Sequence, residues 1–107
     1  MATGKQANTA LTASVWSVVY TIPTGYVWTG KINFCNRNAT VAKIRLAYGT
    51  GSSGSAGEYI EYDTPLAPAG NTGNVLERTA EVLQADQRIL AYSDLSDVDV
   101  VVQGYEE

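Results

Sequence analysis

The feature that most constrains this chain is a period-two alternation over residues 26–48. Tyr26, Trp28, Ile32 and Phe34 share one side of an extended chain, with Gly30 in the same row. Val27, Thr29, Lys31, Asn33 and Cys35 share the other. Successive side chains of a strand point to opposite sides, so this pattern predicts a strand with one face on a core. Residues 36–39 (Asn-Arg-Asn-Ala) read as a polar turn. Residues 40–48 then repeat the pattern, with Ala42, Ile44, Leu46 and Tyr48 on the apolar side and Lys43 and Arg45 opposite. Two matched patterns joined by a short polar link predict an antiparallel pair. Upstream, Pro23 and Gly25 mark a β-turn with Pro23 at its second position. Residues 14–20 read as a strand that is apolar on both faces, Trp16, Val18 and Tyr20 against Val15 and Val19. Such a strand is buried on both sides, or buried on one and in an interface on the other.

The rest of the chain is punctuated in the same way. Residues 49–57 form a loop with no side chain larger than threonine. It lacks the Gly-Lys-Ser/Thr ending of a phosphate-binding loop, and no helix is expected after it, so it reads as a solvated loop. Residues 58–63 form a short strand with Tyr59 and Glu61 on one face and Ile60 and Tyr62 on the other, ended by Pro65 and Pro68. Residues 74–79 read as a strand continuing to Leu83, ahead of a turn at 84–87. The apolar pairs Val75–Leu76, Val82–Leu83 and Ile89–Leu90 also fit a helix, but the gaps between pairs favour strands. Residues 88–92 and 98–105 complete the set, the last with Val98, Val100 and Val102 on one face. Seven or eight short strands with turn signals at about ten-residue intervals predict an all-β, single-domain antiparallel β-sandwich of jelly-roll type. Its expected extent is residues 14–107. Residues 1–13 are small and polar apart from Leu11 and read as an extended N-terminal arm, ordered against a neighbouring subunit.

Composition narrows function mainly by exclusion. The net charge of −4 would repel a phosphate backbone, so no nucleic-acid partner is expected. No apolar run approaches a membrane span and the start carries no hydrophobic leader, so neither a membrane partner nor secretion is expected. Without a secretory leader, Asn38-Ala39-Thr40 matches the glycosylation pattern by chance. The chain has no histidine and one cysteine, Cys35. That removes the usual general base, a Cys–His nucleophile pair and any Cys/His zinc site. Cys35 reads as a small, partly buried apolar side chain, or as a partner in an intermolecular disulfide. Glu58, Glu61 and Asp63 lie on one strand, and Asp94, Asp97 and Asp99 near one turn. A glycosidase needs two carboxylates across a cleft, and a domain this small has little room for one. These acids read as solvated turn and strand residues, and their spacing is not that of an EF-hand. No catalytic residue, metal or cofactor is expected. The aromatic residues are the remaining candidates. Trp16, Tyr26, Trp28, Tyr59 and Tyr62 are expected at a subunit interface. The alternative is a platform for sugar rings built from Tyr26, Trp28, Tyr59, Tyr62 and Tyr105.

The stretches VYTIPTGY, INFCNRNATVAKIRLAY, YIEYDTPLAP, VLERTAEVLQADQRILAYS and VDVVVQGYEE, in this order, resemble a group of small tailed-bacteriophage virion proteins. The resemblance runs from about Val18 to Gly104 and rests on turn and strand signatures. It implies a β-sandwich accessory protein of the neck, collar, baseplate, fibre adaptor or capsid decoration. It implies no catalytic residues. The expected localisation is the virion, after synthesis in the host cytoplasm. The expected partners are copies of the same chain, as a trimer or ring, and other virion proteins. A carbohydrate-binding module used in host recognition is the alternative function.

Overall fold

The computed structural model describes residues 3–107. It contains eight strands and, among the described residues, no helix. They are β1 (Thr3–Leu11), β2 (Ser17–Thr21), β3 (Trp28–Asn36), β4 (Ala42–Gly49), β5 (Tyr59–Leu66), β6 (Val75–Leu83), β7 (Arg88–Ser93) and β8 (Val98–Glu106). One sheet has the order β1-β8-β3-β6 and the other β2-β7-β4-β5, with every pairing antiparallel. The pairs β1·β8, β2·β7, β3·β6 and β4·β5 are those of one long hairpin doubled back on itself and rolled into two layers. This is jelly-roll wiring.

The core lies between the sheets and follows the alternation closely. Trp28, Ile32 and Phe34 of β3, Ala42, Ile44 and Leu46 of β4, Ile89 and Ala91 of β7, and Val98, Val100 and Val102 of β8 are all fully buried. The predicted β3–β4 hairpin is not formed. β3 pairs with β6 and β8, and β4 with β5 and β7. The polar link carries the chain from one sheet to the other, so the two apolar faces meet across the core instead of side by side. Asn36, fully buried, holds that crossover. Its Nδ2 donates to the carbonyls of Thr40, Leu66 and Ala67 at 3.0, 3.2 and 3.0 Å, and its Oδ1 accepts from the Asn38 amide at 2.9 Å. One side chain thereby ties the end of β3 to the end of β5.

Three other expectations need correction. Residues 3–11, expected within an extended arm over residues 1–13 outside the sandwich, form edge strand β1, whose Leu11 is buried and whose Ala7 packs on the core, while residues 1–2 of that arm lie outside the described residues. Small residues alternating with polar ones suffice there, because β8 already supplies a valine row. Pro65 lies inside β5 and does not end it; on an edge strand, proline's missing N–H leaves no ladder bond unmade. The β-turn starts at Pro23, with the Tyr26 N–H donating to the Pro23 carbonyl at 3.2 Å. Gly25 is therefore its third residue, where φ of 88° suits glycine.

The sandwich has two unlike flanks. On one, β1 lies beside β2 at the edges of the two sheets, and these strands carry a single charge, Lys5. On the other, β6 lies opposite β5, and they carry Glu61, Asp63, Glu77, Arg78 and Glu81. The first flank is closed inside by neutral donors. The Trp28 Nε1–H donates to Gln6 Oε1 at 3.2 Å, Gln6 Nε2 donates to the Gly104 carbonyl at 2.9 Å, and the Tyr20 hydroxyl donates to the buried carboxylate of Glu106. The Trp28 ring lies against Gly30, which pairs with Gly104. A methyl on Gly30 would fall 2.0 Å from the Gln103 carbonyl oxygen and 2.7 Å from the Trp28 ring, so no larger residue fits. The second flank is closed by ions. Arg78 reaches Glu61 at 3.2 Å and Glu81 at 3.6 Å, while the Tyr48 hydroxyl donates to Glu81 at 2.8 Å.

Candidate interaction surface

Outside the core, the densest group of chemically distinctive side chains lies on the outer face of the β2-β7-β4-β5 sheet. Arg45 of β4 is the register partner of Tyr92 on β7, and its guanidinium sits 5.0 Å from the Tyr92 ring centre and 4.3 Å from that of Tyr62. Tyr62 meets Tyr59 edge to face, with ring centres 4.8 Å apart and planes at 89°. Trp16, in the link before β2, lies 6.1 Å from Tyr59 and 5.4 Å from Tyr92, tilted by 46° and 43°. Asp63 clamps Arg45 through two contacts, Nε to Oδ1 at 2.7 Å and Nη2 to Oδ2 at 3.3 Å. That fork holds the Asp63 carboxyl below the usual carboxylate range and raises the Arg45 guanidinium further.

An irregular strand builds this cluster. In a regular strand, residues 59 and 62 would face opposite ways. β5 instead carries two extra residues relative to β4, one between the pairs Ile44–Thr64 and Leu46–Glu61 and one between Leu46–Glu61 and Ala47–Tyr59. Asp63 sits at φ 53°. These bulges bring Tyr59 and Tyr62 to one side and turn Ile60 toward the core. The expected facing of Tyr59 with Glu61 and of Ile60 with Tyr62 is therefore corrected. The loop over residues 49–57 is also not purely solvated. A methyl on Gly54 would fall 2.7 Å from the Trp16 ring and 2.9 Å from the Tyr59 ring, so the loop backbone rests on both aromatics. The Arg88 Nη1–H pins that loop by donating to the Gly51 carbonyl at 3.2 Å.

Of the five aromatic residues expected at an interface, three come together here: Trp16, Tyr59 and Tyr62. Trp28 is fully buried in the core and is not available to a partner, because its row on β3 is the inward one. Tyr26 sits at the β2–β3 turn and shares no ring contact with the cluster among the described residues. Sequence reasoning missed Tyr92, Arg45 and Gly54. Lys43 and Arg45 opposite an apolar row were the available signal for an outward cation, but which aromatic residue would lie beside Arg45 depends on the β4–β7 register.

The carboxylates weighed as possible acid–base pairs are each held by a structural partner. Asp63 is on Arg45, Glu61 on Arg78 and the Thr64 hydroxyl, and Asp97 and Asp99 on Arg37. Asp94 accepts from the Lys43 amide and Glu58 from the Ser55 amide. Among the described residues, no three acids or cysteines gather as a metal site would require. On the outer face of the other sheet, Gly30, Gly104, Thr29, Lys31, Gln103, Tyr105, Thr79 and Ala80 border an open depression of about 450 Å³. Comparison with known protein families, with curated proteins and with solved structures finds no match.

Proposed function

We propose that this chain is a non-catalytic structural component of a tailed-phage particle, at the tail, neck or collar or as capsid decoration, working through protein–protein contacts. The observation that carries this reading is the outer-face cluster of Trp16, Tyr59, Tyr62, Tyr92 and Arg45. Tryptophan, tyrosine and arginine are the side chains in which binding energy concentrates at protein interfaces. Here the three tyrosines and the arginine sit on strands of one sheet with Trp16 packed beside them, and Tyr62 is 57% exposed. The jelly roll is a fold of virus capsid domains, and this support is by analogy of fold.

The same fold serves lectins, and Tyr62 beside Asp63 keeps sugar binding in view as the second reading. Ring geometry disfavours it. A sugar ring stacks on a flat, open aromatic face. Here the rings cross one another at 43°, 46° and 89°, and Arg45 lies over a face of both Tyr62 and Tyr92.

The test begins with gradient-purified particles of the phage that encodes the chain. Stoichiometric copies by mass spectrometry are the expected result, and absence from mature particles overturns the virion role. Light scattering of the purified chain across a concentration series should show a trimer or larger ring. Glycan-array binding that Tyr62→Ala abolishes, in a chain absent from particles, would establish the sugar-binding reading instead.

A further inference from the structure

Every sheet in a sandwich of this kind ends in two edge strands whose backbone groups can pair with another chain. Three of the four edges here are blunted. β2 has five residues and a register shift between Val18 and Tyr20. β5 carries two bulges, Asp63 at φ 53° and Pro65. β6 has Ala80 at φ 57° and three charged residues. β1 differs. After an irregularity between Lys5 and Ala7, residues 7–11 pair one for one with Val102 to Val98. This run (Ala-Asn-Thr-Ala-Leu) has no proline, no glycine, no charge and no positive φ. Among the described residues, no strand pairs with its outer edge.

The charge map says what fits there. From Gln6 to Gly30 the chain has no charged residue, although it carries 7 basic and 11 acidic residues in all. That run includes the last six of the nine residues of β1 and the whole of β2, and on it Val15 and Val18 are 50% and 41% exposed. Two copies of a chain with net charge −4 repel wherever acids face each other. The β1–β2 flank is where they can meet without that cost, and small side chains let two backbones approach.

We infer that the β1 edge pairs with the β1 edge of a second copy, antiparallel and centred on Thr9, joining two four-stranded sheets into one of eight strands. Ala7 then faces Leu11 of the partner subunit, and Asn8 faces Ala10 of the partner subunit. The arrangement is isologous and closes as a two-fold pair. It presupposes the assembly role proposed above and supplies the two-fold contact of that assembly; the trimer or larger ring forms through a second contact, and the two together have dihedral symmetry.

The test uses the full chain with Cys35→Ser, into which Ala7→Cys, Asn8→Cys, Thr9→Cys and Ala10→Cys are introduced one at a time. Opposed residues of an antiparallel pair lie ~4.5–5.5 Å apart at Cα, within the range a disulfide spans. Mild oxidation should cross-link the Thr9→Cys chain to itself in high yield. A maximum at Asn8 or Ala10 instead would shift the axis by one residue and still support the pairing. A second measurement covers poor folding of any cysteine variant. Asn8 and Ala10 are exposed, so Asn8→Lys with Ala10→Lys should leave the melting temperature within a few degrees. The same double change should weaken self-association at least tenfold. An oligomer that forms no cross-link at any of the four positions, and that tolerates the two lysines, overturns the β1 pairing and leaves assembly to the aromatic cluster. A monomer at every concentration also overturns it, while the virion role is judged separately by the presence of the chain in particles.

Discussion

The two flanks of the sandwich solve the same problem with opposite chemistry. Both must close the gap between sheets where the valine and leucine core ends. The β5–β6 flank does so with an ion cluster of Arg78, Glu61 and Glu81, joined by Tyr48. The β1–β2 flank does so with Trp28, Gln6 and Tyr20, which pass their hydrogen bonds inward to Gln6, Gly104 and Glu106. Water can replace part of an ion cluster at an edge, so that flank tolerates solvent and repels copies of itself. A flank closed by buried neutral donors should be the more rigid, and the exterior of its strands carries one charge, Lys5. On the β1 pairing proposed above, the charged flank stays free and the β1–β2 flank makes the contact.

The largest test of this contrast is at the glycine pair beneath Trp28. Gly30→Val should leave the chain without a cooperative unfolding transition, because its side chain would occupy the Gln103 carbonyl and the Trp28 ring. Circular dichroism melting reads this directly. Next, Trp28→Ala should cost about 3–5 kcal/mol in urea unfolding, the usual loss for emptying a large buried site. A loss below about 1 kcal/mol would mean the neutral flank is not the rigid one.

On the ionic flank, Arg78→Ala should cost only about 1 kcal/mol, and that loss should shrink in high salt, as expected for a partly exposed pair. A cost equal to that of Trp28→Ala would erase the distinction. The pH dependence separates the flanks further. Burial first, and then Glu106, push the Tyr20 hydroxyl from an ordinary 10.0 to about 12. Its neutral form is favoured in the fold, so its contribution is complete below pH 10 and is lost as pH rises through about 12. Burial and Glu81 push Tyr48 upward as well, with the same sign. Urea midpoints measured from pH 8 to pH 12 should therefore fall at the alkaline end. Tyr20→Phe should lower the midpoint at neutral pH, where it strips Glu106 of its donor, yet make the alkaline fall shallower.

The smallest effect on stability and the largest on association should come from the outer face. Tyr62→Ala should cost less than about 1 kcal/mol of folding stability. If the cluster is the contact surface, the same change should weaken assembly by roughly thirtyfold, the loss of a ~2 kcal/mol hot spot. Sedimentation velocity across a dilution series reads both the size and the strength of the assembly.

Much of this architecture follows from local pattern. The inward rows of β3, β4 and β8 were readable because a strand buried on one face must alternate, whatever its neighbours are. The turns around Gly25, Gln84–Gln87 and Ser93–Asp97 were readable because left-handed or tightly bent backbone selects a short list of residues. Even the neutral flank left a trace, the charge-free run from Gln6 to Gly30.

Pairing was not readable in this way. β3 and β4 have patterns that fit a hairpin equally well, and only the packing of eight strands, with Asn36 holding the crossover, sends them to different sheets. Trp16 and Trp28 both lie in alternating stretches, yet one ends on the outer face and the other on the glycine pair inside. Which of them reached the core was decided by the close approach of Gly30 and Gly104, residues 74 positions apart in the chain. The aromatic cluster depended on two inserted residues in β5, which reversed the facing of Tyr62. Alternation records that a side chain points in or out relative to its neighbours. The bulges, register and sheet order that turn this into a particular surface arise from contacts between segments distant in sequence, so they existed only once the whole chain had packed.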